Sequence, residues 1–412
     1  MRKVFIGVFA AALVGAGTLT ATAPASASVS KLDPFSVMAD LGGRVTFDSG
    51  RSDGVGNLSV TTGKGTVSGG KATVVIVDRV VAPGSKKDSE VRDSQITVVL
   101  SKGTVVAQAV DEDPKGGKPE TLHILPVIGG TGAYASARGT LLMRPVGGKY
   151  LLAYDLFAEK KVSKKAFSFD APSSTRVASG GPRGLGSVAL TRGVNGDLSY
   201  VAVTTALGAT KKAPRQSIDL QVFDGESTIF ARGLAKSVAG AGKPVTLSIL
   251  GGTGDYAGRR GELTLSGDGT SIEAKLAAPG GKAKALPWTN RQKTSYDDST
   301  VLGLGVYEGG STKVGKLTSA RAASPAKRAK TAPVYSASVL TYPEIDGVQP
   351  VVTMIEQTLP TGTMLIAGMG LAGVNYALPV VGGVGDYGGA MGALVRGNAS
   401  TSAGKATATF WR

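Results

Sequence analysis

The 412-residue sequence predicts an all-β chain of three tandem antiparallel eight-stranded β-barrels. Three observations predict it. A glycine-rich phrase occurs three times, as Ile128-Gly129-Gly130-Thr131-Gly132-Ala133-Tyr134, Leu250-Gly251-Gly252-Thr253-Gly254-Asp255-Tyr256 and Val381-Gly382-Gly383-Val384-Gly385-Asp386-Tyr387. Its first glycines lie 122 and 131 residues apart (251 − 129 and 382 − 251), the length of a small domain rather than of a solenoid unit. Glycine fills 60 of 412 positions, about twice the usual share, which disfavours long helices.

The elements repeat in order. Each copy opens on a Gly-centred edge (Gly56, Gly186, Gly315) followed by a strand at Thr73 to Val81, Leu198 to Leu207 or Val334 to Tyr342. A hairpin comes next. Ile96 to Leu100 turns at Lys102-Gly103, Ile218 to Phe223 at Asp224-Gly225, and Val351 to Leu359 at Thr361-Gly362. An apolar strand then runs into the glycine loop, as Leu125 to Ile128, Leu247 to Leu250 and Leu378 to Val381, and two further strands follow, such as Thr140 to Arg144 and Tyr150 to Phe157. Val, Ile, Leu and Thr runs broken by Gly every eight to twelve residues read as antiparallel strands. About eight of them in a ~120-residue copy can close into a barrel, with a two-sheet sandwich as the alternative. The implied division is 1–27 signal peptide, then repeats at 28–157, 158–281 and 282–412.

The loop glycines, Gly129, Gly130, Gly132, Gly251, Gly252, Gly254, Gly382, Gly383 and Gly385, read as structural. They supply positive-φ turns or close backbone approaches. A phosphate cradle would require a helix opening on the loop, whereas a short Tyr-containing turn and a strand follow.

With Ala137-Arg138-Gly139 after the first loop and Arg259-Arg260-Gly261 after the second, the phrase resembles the signature of dirigent proteins and allene oxide cyclases. The third copy departs from it, with Val384 for threonine and Met391 for arginine. The resemblance implies eight-stranded barrels that commonly form homotrimers, here joined in one chain, so the expected state is a monomer acting as a pseudo-trimer. It also implies cofactor-free control of a cyclisation or coupling inside an apolar barrel. The family's Asp-Asp-x-Leu-Thr pattern is absent.

Arg2-Lys3, the apolar run Val4 to Val14 and Ala25-Ser26-Ala27 read as a bacterial-type secretory signal, giving a secreted protein. No later run is long and apolar enough for a transmembrane helix. The formal net charge of +16 falls to +14 on cleavage (16 − 2), with much of the excess in Lys160-Lys161, Lys164-Lys165, Lys282, Lys284 and Arg321 to Lys330. These basic stretches either hold the protein to an anionic cell-surface polymer or keep it soluble. Nucleic acid is not an expected partner, because basic-aromatic interleaving on strands is absent.

The absence of cysteine removes disulfides and thiolate metal sites, and no metal or cofactor is expected. The single histidine, His123, has no counterpart in the other copies (Val245 and Tyr376 stand there) and reads as structural or incidental. Asp111-Glu112-Asp113 reads as a solvated hairpin tip. An aromatic-carboxylate pair recurs near the start of each copy, making Asp48, Asp170 and Glu308 the candidate catalytic acids or bases. Tyr134, Arg138, Tyr256 and Arg260 are the candidate ligand contacts, the arginines facing a carboxylate or phenolate or else bracing the loop. The functional expectation is a barrel binding a small hydrophobic or phenolic molecule. The rival is a non-catalytic extracellular structural or glycan-binding module, distinguished by barrel interiors filled with side chains.

Overall fold

A computed structural model describes residues 29–47, 52, 54–84, 87–115, 122–159, 162–171, 173–178, 185–208, 216–237, 239–240, 242–279, 283–290, 295–302, 315–323, 334–359, 361–374, 377–396 and 404–411. The signal segment 1–27, Asp48, Glu308 and the basic residues Lys160, Lys161, Lys282 and 324–330 lie outside them.

The first repeat forms β1 (Val29–Lys31), β2 (Phe35–Phe47), β3 (Leu58–Val67), β4 (Gly70–Pro83), β5 (Ser89–Leu100), β6 (Gly103–Pro114), β7 (His123–Gly130), β8 (Arg138–Val146) and β9 (Lys149–Glu159). The second forms β10 (Val162–Asp170), β11 (Ser173–Ala178), β12 (Val188–Asn195), β13 (Leu198–Ala206), β14 (Gln216–Asp224), β15 (Ser227–Ala235), β16 (Val245–Thr253), β17 (Arg260–Leu265) and β18 (Ser271–Ala277). The third forms β19 (Lys284–Asn290), β20 (Ser295–Leu302), β21 (Gly315–Ala323), β22 (Val334–Thr341), β23 (Pro350–Leu359), β24 (Gly362–Leu371), β25 (Leu378–Gly385), β26 (Met391–Arg396) and β27 (Gly404–Trp411). Short 3₁₀ turns at Gly132–Tyr134 and Gly254–Tyr256 are the helical pieces among the described residues. None is long and apolar enough to cross a membrane.

Each repeat is one antiparallel sheet, and the three differ in closure. β9 pairs with β2 from Phe35↔Tyr154 to Ala39↔Tyr150 and with β8 from Arg138↔Phe157 to Val146↔Lys149, so the first sheet is a closed eight-stranded barrel. In the second sheet the end strands β10 and β11 are consecutive, one paired to β18 and the other to β12, and the barrel is nearly closed. The third sheet departs from the expected barrel. It ends on β19 and β20, which pair with β27 and β21 and not with each other, so it is not closed.

Strand alternation gives the sheets two buried faces. On β6, Val105, Ala107 and Ala109 fill the first barrel. Val106 and Val110 face a seam shared with Val203 and Phe230 of the second repeat and with Leu340 and Leu365 of the third. Among the described residues that seam is a buried apolar cluster drawn from all three repeats.

The glycine-loop strands β7, β16 and β25 meet pairwise at this seam. A Cβ on Gly129 would collide with Ser248, one on Gly251 would stand 2.8 Å from Pro379 Cβ, and one on Gly382 would stand 3.0 Å from Pro126 Cβ. Ser248, Pro379 and Pro126 occupy one position of the repeated phrase, so each copy presses its first loop glycine against the next in a cycle. The second glycine serves its own sheet: a Cβ on Gly252 would lie 2.6 Å from Thr228 O.

Candidate functional site

The inward face of the first barrel changes character along its length. Near the glycine loop it is apolar, with Val74 and Ile76 on β4, Ile96 and Val98 on β5, Val105 and Ala107 on β6, and Leu125 and Val127 on β7. Continuing the same alternation toward the opposite end gives Asp78, then Ser94, Arg92 and Glu90, then Asp111 and Asp113, then His123. The registers Asp78↔Ser94, Arg92↔Asp111 and Glu90↔Asp113 bring these residues into one mouth. Arg44, Thr46, Asn57 and Ser59 complete a cavity of about 280 Å³ with Asp78, Glu90 and Arg92.

The charges are organised around Arg92, whose side chain is 3% exposed. Its Nε donates to Glu90 Oε1 at 2.7 Å and its Nη2 to Pro114 O at 3.0 Å, with Asp113 Oδ2 at 4.0 Å from Nη1. His123 stands between two carboxylates, Nδ1 3.5 Å from Asp111 Oδ2 and Nε2 3.5 Å from Asp113 Oδ1. The Asp111 contact, supported by the Asp113 charge and opposed by burial, holds its pKa above the ordinary value. Burial raises the Asp113 carboxyl against the pull of His123 and Arg92. Burial likewise raises Asp78, against a hydrogen bond from Ser94 and the charges of Arg92 and Arg44. Arg44, exposed at the rim, places Nη2 3.3 Å from Ser59 Oγ. The mouth therefore combines a rim cation, a carboxyl that retains its proton more readily than usual, and a clamped imidazole. Those are the parts of a proton-transfer site around a polar ligand group.

The other repeats lack these groups. In the second, Ala206, Gln216, Gly233, Ala235 and Val245 take the positions of Asp78, Ser94, Asp111, Asp113 and His123. There Ala239 packs into the interior, its N–H on Thr204 Oγ1 at 3.2 Å and its carbonyl accepting from Thr191 Oγ1 at 3.0 Å. In the third, Val339 and Thr353 replace the Asp78 and Ser94 pair.

The residues singled out from sequence lie elsewhere. Asp170 is exposed, while Phe169 before it enters the second barrel. Tyr134, Tyr256 and Tyr387 pack at the glycine-loop ends of the three interiors. Tyr134 lies 5.6 Å from the Phe35 ring, and the Tyr256 hydroxyl donates to Asp224 Oδ2 at 2.6 Å. Arg138 and Arg260 turn away from the interiors into the seam. Arg138 Nη1 donates to Gly389 O at 2.9 Å with Glu159 beside it, and Arg260 donates to Ile128 O and Val381 O in the two other repeats. The guanidiniums thus bond backbone across copies, and buried Met391 stands at the third equivalent position. Burial, with Arg138 nearby, brings the Arg260 pKa down to about 9.

One reading is corrected. Asp111-Glu112-Asp113 is no hairpin tip, because β6 continues to Pro114 and Asp113 is buried. His123 has those same aspartates as its partners. Asp78, Glu90 and Arg92 were not foreseen. The available signal was the charged pair Asp78-Arg79 inside the apolar run from Val74 to Val81. Among the described residues no group of three or more His, Asp or Glu is arranged to hold a metal.

No protein-family model and no curated protein matches the chain. Among solved structures, a chain described as pyocyanin demethylase is similar over 30% of this chain and 100% of that one, at 19% identity and a TM-score of 0.25.

Proposed function

We propose that this is an exported protein in which three dirigent-like repeats act as a fused trimer and only the first handles a ligand, at its charged mouth. The observation that carries the reading is the change from apolar to charged residues along the inner wall of the first barrel, beside a cavity of about 280 Å³. A site this size, close to the lower end for small-molecule pockets, suits one small phenolic or similarly weakly acidic aromatic molecule. Arg44 takes its anionic oxygen at the rim. Asp78 in its neutral form gives a proton to one ligand atom and takes one back from another, so a tautomerisation or cyclisation balances without a cofactor. The glycine loops support the family comparison, and the cyclic glycine contacts support the fused trimer.

The apolar interior of the second repeat, packed by Tyr200, Leu220, Ile249 and Leu263, favours a second reading, an extracellular scaffold without catalysis, for which the basic stretches are the contact with an anionic polymer. Calorimetric titration of the mature chain with a phenolic panel separates the two. One molecule bound per chain, lost in Asp78→Asn and in Arg44→Gln, supports the mouth. Three per chain, or none across the panel, removes it.

A further inference from the structure

A second cavity, of about 50 Å³, lies where the three sheets meet. The cross-strand pairs Val77↔Gln95, Thr205↔Ser217 and Ser338↔Met354 all line it. Each pair ends eight residues before its hairpin glycine (103 − 95, 225 − 217 and 362 − 354), so one repeat position reaches the cavity from three directions. The cavity is therefore axial.

Its decoration is not symmetric. The four charged residues lining it are Arg79 and Asp93 from the first repeat and Asp219 and Arg232 from the second. Arg232 Nε donates to Asp219, and Arg232 Nη1 donates to Gln108 Oε1 at 2.6 Å. Gln108 Nε2 in turn donates to Asp93 Oδ1 at 2.8 Å. Asp219 is thereby neutralised by Arg232. Arg79 Nε is buried and has no hydrogen-bond partner in the protein. A buried guanidinium N–H left without an acceptor is costly, and Arg79 lines the cavity, so an acceptor bound there would relieve that cost. Asp93 is the cross-strand partner of Arg79, and burial raises its carboxyl against the charges of Arg232 and Arg79 and a hydrogen bond from Gln108. The space exceeds the ~30 Å³ that a water occupies in the liquid and is too small for an organic ligand.

We propose that this axial cavity binds one monovalent anion of halide size, held by Arg79 and the polar groups around it. The site is independent of the barrel mouth, since Arg79 and Asp93 alternate with Asp78 and Ser94 and face outward from the barrel. Occupied, it ties the repeats together at the axis.

The test is a bromide soak of crystals of the mature chain, read by anomalous scattering, together with melting curves in sodium chloride against sodium gluconate at equal ionic strength. The expected result is one bromide peak beside Arg79 Nε and a melting temperature about 3 °C higher in 100 mM chloride than in gluconate. Arg79→Met should lose both effects, and Asp93→Asn should keep the peak. Water alone in the cavity at saturating bromide, with equal melting in both salts, would overturn the proposal whatever the variants do.

Discussion

His123 Nε2 stands 3.5 Å from Asp113 Oδ1, and its other ring nitrogen is equally far from Asp111 Oδ2. The single histidine is thus flanked by two alternate residues of the neighbouring strand, both facing into the barrel. This arrangement stabilises the imidazolium and makes the mouth sensitive to protonation.

The clamp predicts a pH-dependent contribution to stability. With the folded pKa raised above 6.5, the His123 contribution is fully present below pH 6.5 and disappears as pH rises through the folded value. The stability difference between the native chain and His123→Gln, read from denaturant melts, should therefore be larger at pH 5.5 than at pH 8.5. A difference that grows with pH would contradict the clamp.

Glu356 predicts a trend of the same sign from a different cause. Its Oε2 accepts the Val110 N–H across the seam at 2.9 Å, and burial pushes its pKa up to about 7 from 4.5. Between those values the unfolded chain has released a proton that the folded chain retains, so stability falls as pH rises. Glu356→Gln should gain on the native chain by up to about 3 kcal/mol from pH 4.5 to pH 8 and level off beyond, as guanidinium melts at several pH values would record.

Arg260 predicts an asymmetric response to truncation. Arg260→Ala leaves the carbonyls of Ile128 and Val381 without their donor and opens a void, at a cost of about 2–5 kcal/mol. Arg260→Met, copying the residue the third repeat carries at Met391, should lose less. Equal losses in equilibrium unfolding would show that the guanidinium, rather than the filled volume, decides.

The glycines predict a graded series. Gly252→Ala forces a Cβ to within 2.6 Å of Thr228 O and should destabilise by about 1–3 kcal/mol. Gly70, where a Cβ would meet nothing within 4 Å and φ is not positive, should accept alanine at little cost. Melting temperatures of the two variants give the comparison directly.

The all-β class was legible because strand periodicity, hairpin glycines and the threefold loop are local signals, each read within about ten residues. The loop glycines were legible for the same reason: Gly132, Gly254 and Gly385 have positive φ, and Gly130, Gly252 and Gly383 each meet a neighbouring carbonyl. Closure of the third barrel was not legible, because whether β19 and β20 join depends on geometry between the two ends of one sheet. The candidate site was legible only in fragments. Charged residues at Asp111 and Asp113 look like a loop until β5 supplies Glu90 and Arg92 opposite them.

By itself, then, the sequence determined that this chain is three copies of one β unit, and where its glycines permit tight turns and close approach. Tertiary structure decided that Arg138 and Arg260 brace neighbouring repeats and that Asp78, Arg92, Asp113 and His123 share one barrel mouth. The physical reason is that a strand's pattern shows that its faces alternate, but not which face looks inward. That choice is set by partners on other strands and in other repeats, whose buried charges are stable only once paired.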